Sequence, residues 1–376
     1  PQLIQKTDIL LISSIEKASQ KQKLYKQAYQ AEFECAELKE KRKIPIAQIR
    51  ELLKHFFIFP IQLFFLLRKS STSNIFFFFL TQFYYWFVFF SYYRVKNLIL
   101  SCPSEADYQT IICNFFGCST IAYHTSYLGG FDNFKNRNIH VNHLLLWGEC
   151  QVYAPQRMTS VDNVYFTGCH FMTTVEKGQR AQKNIVFFDN KIINDASTTE
   201  DSLIQFTELM LRISEIFDVS VFYRPKESEP FDLNHFRDKK KYFEIKRKFE
   251  KASIVILAIE KYDTGSVLSR ADIVVSNMVG TPSMLAHMLG IPSFSYYQKI
   301  EESPDPIMKN YLNEFIFEDQ DKLIEKIAQV LAGKESPQLR VEEKKKINHY
   351  LDSQGLYRLR SRIAAIVNTQ SHDLPT

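Results

Sequence analysis

Three short stretches in the second half of the chain carry the residue types that hold phosphate. Arg224-Pro225-Lys226 sets two cations either side of a proline. The proline keeps the turn extended, so the two side chains project differently. Asp263-Thr264-Gly265-Ser266 is a small polar turn after an apolar run. The third stretch, "SNMVGTPS" from Ser276 to Ser283, ends another apolar run and opens an amphipathic segment that stops at Gly290. Gly280 lets the backbone approach a ligand closely. Thr281 reads as the helix N-cap and Pro282 as the first helical position. A helix start presents free N–H groups and a positive dipole end, which together suit a phosphate. The residues expected to line the ligand site are Arg224, Lys226, Asp263, Ser266, Ser276, Gly280, Thr281 and Ser283, of which Arg224, Lys226, Thr281 and Ser283 are expected to hold the phosphate and Asp263 and Ser266 to sit beside it. Their joint chemistry is neutralisation of a monophosphate or diphosphate leaving group.

Acid–base candidates lie in the first half. His124, in "AYHTSY", falls near the end of an apolar run and can serve as a general base or an acceptor contact. Glu105 and Asp132 are its main carboxylate rivals, with Asp107 and Glu149 behind them. Asp319 and Asp321 resemble a metal-binding pair, but acidic residues at a helix start are caps, and that is the expectation for them. No other spacing of His, Cys, Asp or Glu suggests a metal, and no metal or other cofactor is expected. The six cysteines include no C-x-x-C pair, so neither a zinc site nor a disulfide framework is expected. A reducing, cytoplasmic setting follows from that usage. No signal-peptide pattern opens the sequence at Pro1. The G-x-S-x-G, Walker and G-x-G-x-x-G patterns are absent.

These residues need elements to position them. From residue 96 onward short apolar runs alternate with amphipathic ones, the grammar of βαβ units and a parallel sheet. Strands are expected at 97–101, 119–127, 142–149 and 163–168, with a helix at 104–117. The second half repeats the pattern, with strands at 184–190, 219–223, 253–260, 272–276, 293–297 and 314–318. Helices are expected at 199–216, through a very basic stretch ending near 251, after Thr281, at 320–332, and in a long charged tail. Ahead of residue 96 the expectation is a strand at 7–14, a helix at 15–42, and a second helical stretch at 47–68 bent by Pro60. The polar stretch at 172–184 divides the chain. Three parts follow: 1–178 with an aromatic helical segment at 47–93, 179–340, and a helical tail at 341–376 packing back on the first part. In open parallel sheets ligands bind beyond the carboxyl ends of the strands, so all three polar stretches are expected to face one cleft.

The chain has 376 residues, 45% hydrophobic and 24% charged, which suits two domains with proper cores. Its 32 phenylalanines are the outlier, and they crowd ahead of residue 95. "NIFFFFLTQFYYWFVFFSYY", residues 74–93, is long enough to suggest a membrane span. Thr81, Gln82 and Ser91 interrupt it, so a buried helix is the first reading and partial insertion into one leaflet the second. The net charge of +5 is clustered in Lys41–Lys43, Lys239–Lys241 and Lys344–Lys346. Such runs are usually solvated faces. Beside an aromatic surface they also suit an anionic membrane. No nucleic-acid-binding motif accompanies them, so nucleic acid is not an expected partner.

The second half resembles the C-terminal domain of GT-B-type glycosyltransferases of bacterial surface polysaccharide biosynthesis. The nearest likeness is to the group named for a Pro-Phe-Thr-Ser motif. "LSRADIVVSNMVGTPSMLAHMLGIPSFSYY" carries that group's strand, motif loop, helix, Gly-x-Pro and Tyr-ending strand. "FYRPK" resembles its basic turn, and "DSQGLYRLRSRIAAIV" its closing helix. "NHLLLWGECQVY" with "VYFTGC", and "AYHTSY", resemble the end and the acceptor-facing strand of the N-terminal domain. Aligned on Gly290, the naming motif reads Met278, Val279, Gly280, Thr281, so only Thr281 keeps a hydroxyl there. The resemblance implies an α/β, GT-B-like fold of two Rossmann-like domains facing a cleft. It implies a metal-independent transferase that moves a sugar from a nucleotide-sugar donor to a glycan or lipid-linked acceptor of a polysaccharide or lipopolysaccharide. The C-terminal domain would bind the nucleotide. The aromatic segment would give peripheral contact with the inner face of the cytoplasmic membrane. A sugar-nucleotide epimerase on the same fold and a non-catalytic assembly protein are the alternatives.

Overall fold

The computed structural model describes residues 10–13, 34–37, 86–87, 90, 95–100, 107–124, 139–152, 159–172, 182–189, 200–226, 238–258, 261–297, 314–335 and 337–370. They form an α/β fold with two larger parallel sheets. A separate two-stranded parallel pair joins β1 (Leu10–Ser13) and β2 (Glu34–Glu37). β2 corrects the expectation of a helix over 15–42. Glu34-Cys35-Ala36-Glu37 is paired residue for residue with β1, and that pairing overrides local helical preference.

The first sheet has the order β3 (Asn97–Leu100), β4 (Ser119–Tyr123), β5 (Ile139–Leu146), β6 (Thr159–Phe166). Helix α1 (Asp107–Phe115) lies between β3 and β4. Strand alternation sends Leu98, Leu100, Ala122, Leu144 and Leu146 to one face, where they meet Ile112 and Cys113 of α1. Trp86 and Phe90 are buried on that face too. The rest of 74–93, apart from Phe87, lies outside the described residues, as does all of 47–68.

The second sheet has the order β12-β11-β10-β7-β8-β9. Its strands are β7 (Asn184–Phe188), β8 (Ser220–Arg224), β9 (Ile254–Ile256), β10 (Ile273–Asn277), β11 (Ser293–Tyr296) and β12 (Ile316–Phe317). β10 is buried at every position, as a parallel strand covered on both faces must be. Helices α2 (Glu200–Ile216), α3 (Lys239–Lys251) and α6 (Gln320–Leu331) supply one face. Phe206, Met210 and Ile213 pack there on Ile185, Phe187, Val275 and Phe294. Helices α4 (Thr264–Leu268) and α5 (Thr281–Met288) supply the other, against Val186, Phe188 and Val274. Asp238 and Asp319 cap α3 and α6 through their side chains, so the aspartate pair at 319 and 321 is a helix start as expected.

The charged tail is two helices, not one: α7 (Val341–Ile347) and α8 (Gly355–Gln370). Ile347 joins the cluster of the second sheet. Leu359, Ile366 and Val367 of α8 cover Ile121 and Leu145 on the free face of the first. The same α7-side cluster contains Trp147, just past β5, and Cys169, just past β6. The carboxyl ends of the first sheet are thereby packed beside the face of the second that carries α5. No helix among the described residues is long and apolar enough to cross a membrane.

Candidate functional site

The chain runs outward from β7 through β8 to β9, then returns to β10 on the other side of β7 and continues to β12. Connections therefore diverge between β7 and β10, and a crevice at the carboxyl ends of such a pair is where open α/β sheets bind ligands. Asp189 arrives there from β7 and the stretch 278–283 from β10.

Met278 opens the β10 loop with φ +76. For a non-glycine residue that left-handed backbone costs roughly 1–2 kcal/mol. A bond from its N–H to the Tyr296 carbonyl, 3.1 Å, holds it. Gly280, with extended φ, is the N-cap of α5, and Thr281 is already helical. This corrects the assignment of Thr281 as cap. Glycine has no side chain to cap with, so Ser283 reaches back: its hydroxyl accepts from the Gly280 N–H at 3.0 Å and donates to the Gly280 carbonyl at 2.8 Å. A Cβ on Gly280 would meet only Pro282 Cδ, at 3.8 Å, so the fold itself does not demand a glycine there. Ser276 is buried within β10, and its hydroxyl meets no hydrogen-bond partner among the described residues.

Arg224 is the last residue of β8 rather than part of a loop. Its Nε donates to the Tyr262 carbonyl at 3.3 Å and one terminal nitrogen to the Pro225 carbonyl at 2.5 Å. The Lys226 N–H donates to one oxygen of Asp189, and the Tyr223 hydroxyl to the other. Burial pushes the Asp189 carboxyl up to about 7, against the pull of its Tyr223 and Lys226 bonds and of the Lys226 and Arg224 charges. The stretch at 263–266, expected as a loop, is the first turn of α4. Asp263 caps it by accepting from the Ser266 N–H at 2.9 Å, and the Ser266 hydroxyl donates back to the Asp263 carbonyl at 2.9 Å. Hydrogen bonds thus link the ends of β7, β8 and the β9–α4 connection in one row, ahead of any ligand.

His124 follows β4 directly and is 3% exposed. Its carbonyl accepts from Trp147 Nε1 at 3.1 Å, tying it to the cluster between the sheets. Neither ring nitrogen has a partner among the described residues. Burial lowers its pKa to about 4, so the imidazole is neutral at pH 7. Glu105 and Asp132 lie outside the described residues, and Glu149 is exposed in a 3-10 turn after β5. Among the described residues no group of three His, Cys, Asp or Glu side chains is placed to hold a metal ion. The structure therefore joins Arg224 and Lys226 to the α4 start, sets Ser276–Ser283 two strands from β8, and leaves His124 on the other sheet.

Asp189 and Tyr223 were not singled out from sequence, and Met278 was named only as a position of the motif. A signal existed for the first. Asp189 is the carboxylate that ends the apolar run "NIVFFD", and strand ends are where parallel sheets place ligand groups. Tyr223 reads as an ordinary core residue, and nothing in the sequence marks Met278 as left-handed.

No family model matches the chain, and no curated protein matches it in sequence. Solved structures do match. A candidate UDP-N-acetylglucosamine 2-epimerase from Listeria monocytogenes superposes with a TM-score of 0.51 at 11% identity, over 80% of this chain and 82% of that one. A glycosyltransferase from Rickettsia africae ESF-5 gives 0.50 at 10% identity, over 96% and 90%. MnaA of S. aureus, solved with UDP, gives 0.52 at 7% identity, over 80% and 82%. At such identities the likeness speaks for the fold alone, and the fold is GT-B-like: two parallel α/β sheets with an α-helical tail returning to the first.

Proposed function

We propose that the chain is a glycosyltransferase acting on a nucleotide-sugar donor, with a polysaccharide or lipopolysaccharide acceptor. The observation that carries this reading is the juxtaposition at the switch point. The start of α5 and the Arg224-Pro225-Lys226 turn adjoin the divergence of β7 and β10, in a fold shared with sugar-nucleotide proteins. The sequence resemblance to the Pro-Phe-Thr-Ser group supplies the acceptor class.

In the proposed reaction the acceptor hydroxyl oxygen bonds to the anomeric carbon. The bond from that carbon to the phosphate oxygen breaks, and the nucleotide leaves with the electron pair. The N–H groups at the start of α5 and the charge of Lys226 stabilise the negative charge that develops on the phosphate. If the reaction inverts the anomeric centre, His124, neutral at pH 7, is assigned to take the acceptor's proton; a retaining reaction needs no such base. The proposal gives the role of a metal to these protein groups. It places the enzyme at the inner face of the cytoplasmic membrane, with an aromatic surface that includes Phe115 and Phe116 against the lipid.

A sugar-nucleotide epimerase is the second reading, favoured by the fold match to the Listeria protein. Conversion of a sugar nucleotide with no acceptor present would select it. The donor site itself is tested by calorimetric titration with UDP, CMP, GDP and ADP. Binding of one is expected, weakened tenfold or more by Arg224→Ala and by Gly280→Ala. The alanine at Gly280 should move the melting temperature by only a few degrees, since an alanine cap costs about 1 kcal/mol. No binding by the wild type, or full affinity in both variants, sinks the donor-site reading.

A further inference from the structure

Asp189 is the unused ionisable group nearest the switch point. It directly follows β7, is partly buried, and has both carboxylate oxygens engaged. One accepts from the Tyr223 hydroxyl, on a side chain wholly buried within β8. The other accepts from the Lys226 N–H, the backbone of the basic turn. One carboxylate thus fixes both the strand before the turn and the turn's last residue. Arg224 completes the arrangement from the other side through the Tyr262 carbonyl.

The location is unfavourable for the charge, because burial opposes ionisation there. Two converging donors, however, need two acceptor oxygens. An amide offers only one, and its NH2 would face the second donor.

We propose that Asp189 is a positioning residue of the nucleotide site: through its ionised carboxylate it holds the Arg224-Pro225-Lys226 turn where its cations meet the donor's phosphates. The assignment rests on the nucleotide-sugar reading of this site. The groups facing the carboxylate are the Tyr223 phenol, the Lys226 ammonium and the Arg224 guanidinium. Nucleotide affinity should accordingly depend on whether Asp189 is ionised.

The test titrates UDP, CMP, GDP and ADP into wild type, Asp189→Asn and Tyr223→Phe between pH 5.5 and 8.5, with melting temperatures taken alongside. Wild type is expected to bind one nucleotide, with affinity falling as pH drops below about 7 (the raised carboxyl pKa). Asp189→Asn should lose tenfold or more at pH 8 and show a flattened pH profile. Tyr223→Phe keeps the carboxylate and one of its two donors, so it should lose less and keep the pH profile. It also keeps the proposal testable if the asparagine variant folds poorly. Wild-type affinity and pH profile in Asp189→Asn would overturn the assignment alone, as would a flat pH profile in Tyr223→Phe. A wild type that binds none of the four nucleotides overturns the donor-site reading and this assignment with it.

Discussion

Partly buried Asp189 and buried His287 are ionisable groups shifted in opposite directions, and the two should give stability a pH dependence of opposite sign. His287, on the buried side of α5 and packed edge-on against Phe315, is lowered to about 3 by burial and by the Lys344 charge. His124 is lowered to about 4 by burial. An imidazole depressed by folding takes its proton first in the unfolded chain. Stability then falls as pH drops from about 6.5 toward the folded value, by roughly 1.4 kcal/mol per pH unit for each proton. Asp189, raised to about 7, binds its proton first in the folded chain. Its contribution is therefore lost as pH rises from about 4 to about 7. Urea denaturation at pH 5, 6, 7 and 8 checks both signs. His287→Leu should be less acid-sensitive than wild type, and Asp189→Asn should gain stability relative to wild type on going from pH 5 to pH 8. Parallel curves for all three would remove these groups from the account. Such shifts were not readable from sequence. His124 and Asp189 could be named as residue types, but their surroundings come from Trp147 and Tyr223, 23 and 34 residues away.

Elements were the most legible scale. Short apolar runs mark each strand from β3 to β12 within a few residues. Errors arose where a non-local partner decides. The 34–37 stretch is a strand because β1 pairs with it, whereas the α5 cap lies at Gly280 through a local bond, in which the Ser283 hydroxyl folds back on it. Helix α1 carries a feature that periodicity shows only in part. Its core side buries Ile112 and Cys113, while Ile111, Phe115 and Phe116 are 43%, 69% and 38% exposed. Phe87 meets Phe115 at 5.8 Å and Phe116 at 4.9 Å between ring centroids. This exposed aromatic end, joined by Phe87, is the proposed lipid contact. Sedimentation with anionic lipid vesicles is expected to carry down the wild type and to recover several-fold less of a Phe115→Ser/Phe116→Ser double variant. Equal recovery, or none for the wild type, would overturn the assignment of this aromatic surface as the lipid contact.

At the scale of the molecule, the tail decides how the two sheets are held. Asn348, fully buried, accepts from the Cys169 N–H at 2.8 Å, and the His349 N–H donates to the Trp147 carbonyl at 2.8 Å. Two glycines make these contacts possible. A Cβ on Gly148 would lie 2.4 Å from the Lys346 carbonyl oxygen, and one on Gly355 would lie 2.2 Å from that of Cys169. Both obstacles are backbone, so neither can swing aside. The sequence shows both glycines but not the partners they approach, which are roughly 200 residues distant along the chain. α8 then delivers Leu359, Ile366 and Val367 to the first sheet, each burial contributing about 1.5–3 kcal/mol. Gly355→Ala should therefore act at a distance from its own helix, by lifting the start of α8 off Cys169 and loosening the first sheet's outer face. The expected result is a fall of several degrees in melting temperature with faster amide exchange in β4 and β5. Exchange in β7 and β10 should be little changed, because their cores are built from α2, α4, α5 and α6. Uniform acceleration across both sheets would mean that they unfold as one unit. Unchanged exchange in β4 and β5 would mean that the tail is not what holds the first sheet.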